Sequence, residues 1–475
     1  MTSIQNQFGS KKKLEKFIVI VGVICSILSI FGPNPFLCVP AFITLYSIVH
    51  FLFLSRYYTA FLLAFLYEWV QVSVKVIYGT LTFTTLQSLT VYPEKIITAY
   101  LLSCAGLILI TFSIGLVLKK LQFNDSVIKS LLLRCNFKNI LIAYFVVGLI
   151  SGVVPSGLAE FAVQFAAFKW ALFYLLFLLC YEQKRNKWIL AAIILFEVVI
   201  GFASYFASWK DVIFYVIIGY LTVKKIGKKQ IITGTIAGCI VLFFALVWTG
   251  VKTQYREYIA QGGKQVMVVS KSEAYMELLT LISEFQLNDE VVKAFLDRIS
   301  YIDYFSACLD YVPSKQPHEY GKLTADAATH IVTPRILFPD KEMINESKHL
   351  TKYTGRWFSD LSMGVSFSLG YFGDFYVDFG AVGMMFALLL LGWIIGVGFR
   401  NLCRNAPNQL IAVMLLQVSF MLLFRFEISL LKLVGTFTVF WLLYRFLDMA
   451  FFPQFTSWIL NKNAHTRIPQ KTQGR

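Results

Sequence analysis

Long apolar runs separated by short polar connections dominate the chain, and their lengths decide the architecture. Crossing about 30 Å of hydrocarbon as a helix takes roughly 20 residues, with every backbone amide paired inside the span. The pattern predicts such spans at 17–33, 36–55, 57–79, 96–118, 139–155, 162–182, 188–207, 211–223, 230–250, 376–399, 409–425 and 428–448. The expected fold is an all-α polytopic membrane protein with about twelve transmembrane helices. Gly32-Pro33-Asn34-Pro35 predicts a tight turn between the first two.

One polar segment differs from the rest. Residues 251–375 hold 16 acidic and 13 basic side chains, the mark of a solvated domain. Ser272–Leu287 and Asn288–Tyr311 are predicted as helices, since Val292, Phe295, Ile299 and Ile302 repeat at helical spacing. Pro313, Pro317, Pro334 and Pro339 punctuate the remainder of the segment, and no sheet pattern or repeat is visible. The expected organisation is a nine-helix membrane region at 1–250, a mainly helical loop domain at 251–375, three helices at 376–448 and a basic tail at 449–475.

Charge sets the expected orientation. Segments alternating to one side hold 24 Lys and Arg, whereas the short connections on the other hold only Lys95, Lys210 and Arg425. The positive-inside rule then puts both termini in the cytoplasm and the large loop outside. Composition points the same way, with 57% hydrophobic and 15% charged residues, where soluble chains carry about 25% charged. The net charge of +16 lies between apolar runs, so it reads as orientation and anionic-lipid contact, not nucleic-acid binding. Lys11, Lys12, Lys13 and Lys16 precede the first run without a small-residue cleavage site, so no cleavable signal peptide is expected. Of eight cysteines only Cys308 falls in the loop, which excludes a disulfide within it. No Cys/His cluster suggests a metal, and no cofactor is expected.

The span at 211–223 reaches only about 20 Å at 1.5 Å per residue, so Lys210 and Asp211 are expected below the membrane surface. The short span 409–425 places Arg425 at a similar depth, followed by Glu427 and Lys432. Such charges need a wet cavity or a partner. Two readings stay open: helix-end ion pairs Lys210–Asp211 and Arg425–Glu427, or a recessed cationic pocket for a phosphate-bearing lipid. Glu68, Gln71 and Lys75 share one helix face, and Glu160, Gln164 and Lys169 flank another span. Interhelical hydrogen bonding is the favoured reading of both, a cavity-lining seam the other. In the loop, Thr333-Pro-Arg-Ile-Leu-Phe-Pro-Asp-Lys341 is a rigid stretch expected to hold Arg335 and Lys341 near the membrane, with Asn345 and His349 beyond. Asp374 and Asp378 mark the start of the next span, in Tyr371-Phe-Gly-Asp-Phe-Tyr-Val-Asp-Phe-Gly380.

Pro334-Arg-Ile-Leu-Phe-Pro-Asp-Lys341, then Ser366-Phe-Ser-Leu-Gly-Tyr-Phe-Gly-Asp-Phe-Tyr376 and Phe379-Gly380-Ala-Val-Gly383, resemble the bacterial O-antigen polymerase (Wzy-type) family. The chain departs from that family's pattern with Asp374 where Glu is common, Lys at 210 for Arg, and no repeated Arg-x10-Gly. The resemblance implies a glycosyltransferase of the bacterial inner membrane. It would polymerise undecaprenyl-pyrophosphate-linked oligosaccharide repeat units, in contact with membrane lipid and with a chain-length regulator protein as partner. A pyrophosphate leaving group needs fixed cations, for which Lys210, Arg335, Lys341 and Arg425 are the candidates. Asp374, Glu427 or His349 would serve the attacking hydroxyl as base, without a metal. The O-antigen ligase reading shares this architecture. A polysaccharide or lipid transporter or flippase commonly shows repeated halves, and a sensor or scaffold a cytoplasmic output domain; neither is visible.

Overall fold

The computed structural model describes residues 2–153, 159–202, 209–224, 227–261, 267–333, 345–359 and 366–460. Among them every regular element is a helix. The first part of the chain forms α1 (Thr2–Ile30), α2 (Cys38–Leu52), α3 (Thr59–Thr82), α4 (Ile96–Leu118), the short α5 (Asp125–Arg134), α6 (Phe137–Val153), α7 (Ala159–Gln183), α8 (Lys187–Phe202), α9 (Trp209–Val223) and α10 (Lys228–Ala260). The loop domain forms α11 (Lys271–Ser283), α12 (Asp289–Ile299), α13 (Ile302–Tyr311), α14 (Lys322–Val332) and α15 (Glu346–Thr354). The last part forms α16 (Tyr371–Asn405), α17 (Gln409–Gln417), α18 (Ser419–Leu423), α19 (Leu430–Ala450) and α20 (Phe452–Ile459).

Six helical stretches among the described residues are long and apolar enough to cross a membrane: Arg56–Thr82, Ile96–Leu118, Gln164–Gln183, Gly238–Ala260, Tyr371–Asn405 and Leu430–Ala450. That is half the number expected from the pattern. The other expected spans do not meet that measure; the one at 36–55, for example, falls on α2, with 15 residues. At about 1.5 Å per residue α2 reaches roughly 22 Å, less than a full hydrocarbon core. Large apolar side chains stand exposed on the outer faces, Leu149, Leu195 and Phe243 among them, as lipid-facing helices require.

The Gly32-Pro33-Asn34-Pro35 turn forms, and Asn34 adds a function of its own. Its buried amide donates to the Thr84 carbonyl (2.7 Å) and accepts from Leu86 N–H (2.8 Å), which ties the turn to the α3–α4 connection. The amphipathic α20 meets the junction of α5 and α6 at the end of the bundle rich in Lys and Arg. There Asn136 N–H donates to the Ile459 carbonyl (2.7 Å), and the Asn139 side chain donates to the Trp458 carbonyl (2.6 Å).

The helix expected over 288–311 is broken at Ser300, where the backbone turns extended. Tertiary contacts explain the break. Lys75 of α3 is fully buried and reaches Asp297 on one side of it (2.7 Å) and Asp303 on the other (2.8 Å). Tyr301 N–H also donates to the Gln71 carbonyl (3.4 Å). Helices α12 and α13 are thus pinned to α3 by two carboxylates gathered around the buried Lys75.

Helix α16 packs on α4 through small residues, the usual means of close approach in membranes. A Cβ at Gly392 would sit 2.6 Å from the Ile110 carbonyl oxygen. Farther up, α16 is kinked at Gly380 (φ 67°), and the Val377 carbonyl takes the Glu319 N–H (2.9 Å).

Candidate functional site

Two polar clusters lie on either side of the segment 424–430. The first is built on α15 and α16. Asn345 caps α15 by accepting from Lys348 N–H (2.9 Å), which fixes the turn that carries His349. His349 Nε2 meets Asp374 Oδ1 at 2.8 Å, and Asp374 Oδ2 accepts from Leu430 N–H at 2.8 Å. Asp374 is therefore buried with both oxygens engaged. His349 keeps about a third of its side chain accessible, at 29%. With Nε2 bonded to the carboxylate, Nδ1 is the nitrogen left to take a proton. Burial pulls the His349 pKa down, but the Asp374 charge and hydrogen bond outweigh it and raise it above its ordinary 6.5. Asp374 is an orienting residue here; of the pair, His349 is the one a substrate can touch.

Beside this dyad, Glu346 accepts from Ser429 (2.6 Å) and Lys432 (2.5 Å), so α15 is clamped to the start of α19. Asp378, one turn beyond Asp374, is fully buried and caps α14 by accepting from Leu323 and Thr324 N–H (2.9 and 2.8 Å). It is a structural cap.

The second cluster gathers Lys210, Arg298, Arg425 and Glu427. Lys210 interacts electrostatically with Asp211, Arg425, Arg298 and Glu427, and Lys252 of α10 adds its charge to Lys210 and Arg298. None of these four cations makes an ion pair within 4.0 Å among the described residues. Arg425 instead lies over the Phe424 ring, 5.0 Å from its centre. Glu427 accepts from the Gln71 side chain (2.8 Å), whose Oε1 in turn accepts Phe426 N–H (3.1 Å). The helix-end pairs Lys210–Asp211 and Arg425–Glu427 are thus not formed. Lys210, Arg298 and Arg425 are each exposed, while the protein around Lys210 partly desolvates it. The packing explains it: Trp209, one residue before, is buried against Trp248, Val251 and Tyr255, while α10 continues past them to Ala260.

Gly370 makes this arrangement possible. Its φ of 83° and the close approach of the Phe426 carbonyl, 2.9 Å from where a Cβ would stand, leave room for no side chain. Tyr371 N–H donates to the Ile428 carbonyl (2.7 Å), so 424–430 is held against the start of α16.

Residues 94–410 match a family described as a domain of unknown function, DUF8712. The chain belongs to the DUF8712 family. No curated protein and no solved structure matches it. The DUF8712 region runs from just before α4 to the start of α17, so it contains Lys210, Arg298, His349 and Asp374 but stops short of Arg425 and Glu427.

Of the residues proposed from the pattern of this DUF8712 chain, Arg335 and Lys341 lie outside the described residues. Lys210, Arg425 and Glu427 come together; His349 and Asp374 form their own pair across the 424–430 segment. The seam residues take interhelical partners. Glu68 accepts from Tyr371 (3.0 Å), Gln71 binds Glu427, and Lys75 binds Asp297 and Asp303. Gln164 donates to the Thr436 carbonyl (3.2 Å) and Lys169 pairs with Glu197 (2.7 Å), whereas the Glu160 side chain lies outside the described set. Arg298 and Lys252 were not singled out by the pattern, because an arginine on the polar face of a solvated helix and a lysine after a span look ordinary in one dimension.

Proposed function

We propose that this protein is a membrane glycosyltransferase that polymerises undecaprenyl-pyrophosphate-linked oligosaccharide repeat units into surface polysaccharide. In this reading about twelve helices span the bacterial inner membrane, both termini are cytoplasmic, and the loop domain and both clusters face outward. The observation that supports it most is the recess holding Lys210, Arg298 and Arg425 with no ion-paired carboxylate among the described residues. Four cations, Lys210, Lys252, Arg298 and Arg425, against the two carboxylates Asp211 and Glu427 leave a positive excess that favours a doubly charged pyrophosphate over a neutral ligand.

The sugar hydroxyl of one lipid-linked unit attacks the anomeric carbon of the other. The new C–O bond forms as the bond to pyrophosphate breaks, and both electrons leave with the lipid pyrophosphate. Its charge is met by Lys210, Arg298 and Arg425. His349 Nδ1 takes the hydroxyl proton, and Asp374 stabilises the imidazolium. Cations in place of a proton donor suit a leaving group that carries its own charge.

Deleting the gene is the decisive test. Surface polysaccharide resolved on a gel should collapse to a single repeat unit; unchanged chain length would reject the polymerase reading. Arg425→Ala should cost about 10²–10³ in transfer rate at normal protein level, the scale of losing one transition-state charge partner. EDTA should leave transfer by the purified protein intact.

A further inference from the structure

A large hollow lies apart from the cationic recess. It is a groove of about 840 Å³ between α14, α16 and α19, lined almost wholly by hydrocarbon. Along α16 it runs from Phe375 to Asn401. At about 1.5 Å per residue that is on the order of 39 Å. One leaflet contributes only about 15 Å of the roughly 30 Å hydrocarbon core. An ordinary acyl chain entering from one leaflet would leave most of the groove unfilled.

Two features separate this groove from a lipid-facing surface. It is roofed by α14, a helix of the loop domain that lies against α19 and is fixed in place by the Asp378 cap. The roof presents small residues, Ala327 and Ala328, where bulkier ones would fill the space. The groove also ends at the dyad. Phe375 and Leu430 line it, and the neighbouring Asp374 bonds both Leu430 N–H and His349.

We propose that this groove seats the polyprenyl chain of the lipid-linked substrate that supplies the attacking hydroxyl. The chain lies along α16 under α14, and its glycan emerges beside His349. The pyrophosphate of the second substrate occupies the cationic recess across the 424–430 segment. This assignment rests on the transfer reaction proposed above for the role of the headgroup; the fit of the chain rests on the groove alone.

The test is photolabelling of the full chain in phospholipid nanodiscs with a diazirine-bearing undecaprenyl diphosphate. Label is expected in peptides of α14, α16 and α19, displaced by unlabelled undecaprenyl diphosphate and not by added phosphatidylglycerol. Ala387→Trp should cut that labelling about tenfold, the equivalent of roughly two buried methylenes lost. Ala328→Trp, on the exposed roof helix, provides the same block should Ala387→Trp fail to elute as folded protein. Leu149→Trp, on an exposed apolar face away from the groove, should leave the labelling of these helices unchanged. Equal displacement by phosphatidylglycerol, or label spread over all lipid-facing helices, would overturn the assignment. Specific labelling together with unchanged glycan length in the deletion strain would uphold the groove and reject the transferase. Absent labelling together with glycan collapse would do the reverse.

Discussion

His349 carries the clearest consequence at the scale of single residues. Its pKa is raised because the Asp374 charge outweighs burial, so the proton is held to higher pH than in a free imidazole. In the proposed transfer it would act as base only when deprotonated, and the rate should therefore rise with pH through a value above 6.5. Asp374→Asn removes the charge, and the acid limb of the pH–rate profile should move to lower pH. The stability linkage runs the other way: the pair's contribution is full below the unfolded histidine pKa and fades as pH climbs through the folded one. His349→Asn should lower the rate by roughly 10²–10⁴. A rate unchanged by this substitution, or an acid limb that stays in place in Asp374→Asn, would remove the dyad from the reaction. Both residues were legible in the sequence as candidates. Their division of labour was not, because which oxygen meets which donor depends on α15 docking against the start of α19.

Between elements, the decisive contacts are those that tie the loop domain to the bundle. Lys75 has no accessible surface and holds Asp297 and Asp303 together. Lys75→Met leaves Asp303 buried without its cation, and breaking such a pair from one side costs about 3–5 kcal/mol. Thermal unfolding in detergent should show a marked drop; an unchanged midpoint would mean that Lys75 does not hold these helices. The α4–α16 contact makes a second prediction, read by the same thermal measurement. Gly392→Val places methyl groups against the Ile110 carbonyl, and overpacking of this kind costs about 1–3 kcal/mol. The apolar runs at 57–79, 96–118 and 376–399 predicted α3, α4 and α16, and the helical spacing within 288–311 predicted helix there. It did not predict the break at Ser300, since Val292, Phe295, Ile299 and Ile302 continue one apolar stripe through it. The break comes from α3, more than two hundred residues earlier in the chain.

At the scale of the whole molecule, the apolar runs determined the helical class and the positions of most of the long helices. Those properties follow from hydrocarbon burial and backbone pairing, which act on neighbours along the chain and so can be read from it. The number of described helices long enough to cross a bilayer already needed the structure, because the ends of a helix such as α2 are set by where the neighbouring turns stop it. Tertiary structure alone decided which charges share a recess. Lys210, Lys252 and Arg298 come from α9, α10 and α12 and Arg425 from the α18–α19 connection; short apolar runs mark Lys210 and Arg425, but nothing in the local sequence distinguishes Lys252 and Arg298 from ordinary surface cations. It also decided that α14 lies across α19 and roofs a groove, through an Asp378 cap that spans two parts of the fold. Charge and cavity are properties of juxtaposition, and juxtaposition is what the linear pattern leaves open.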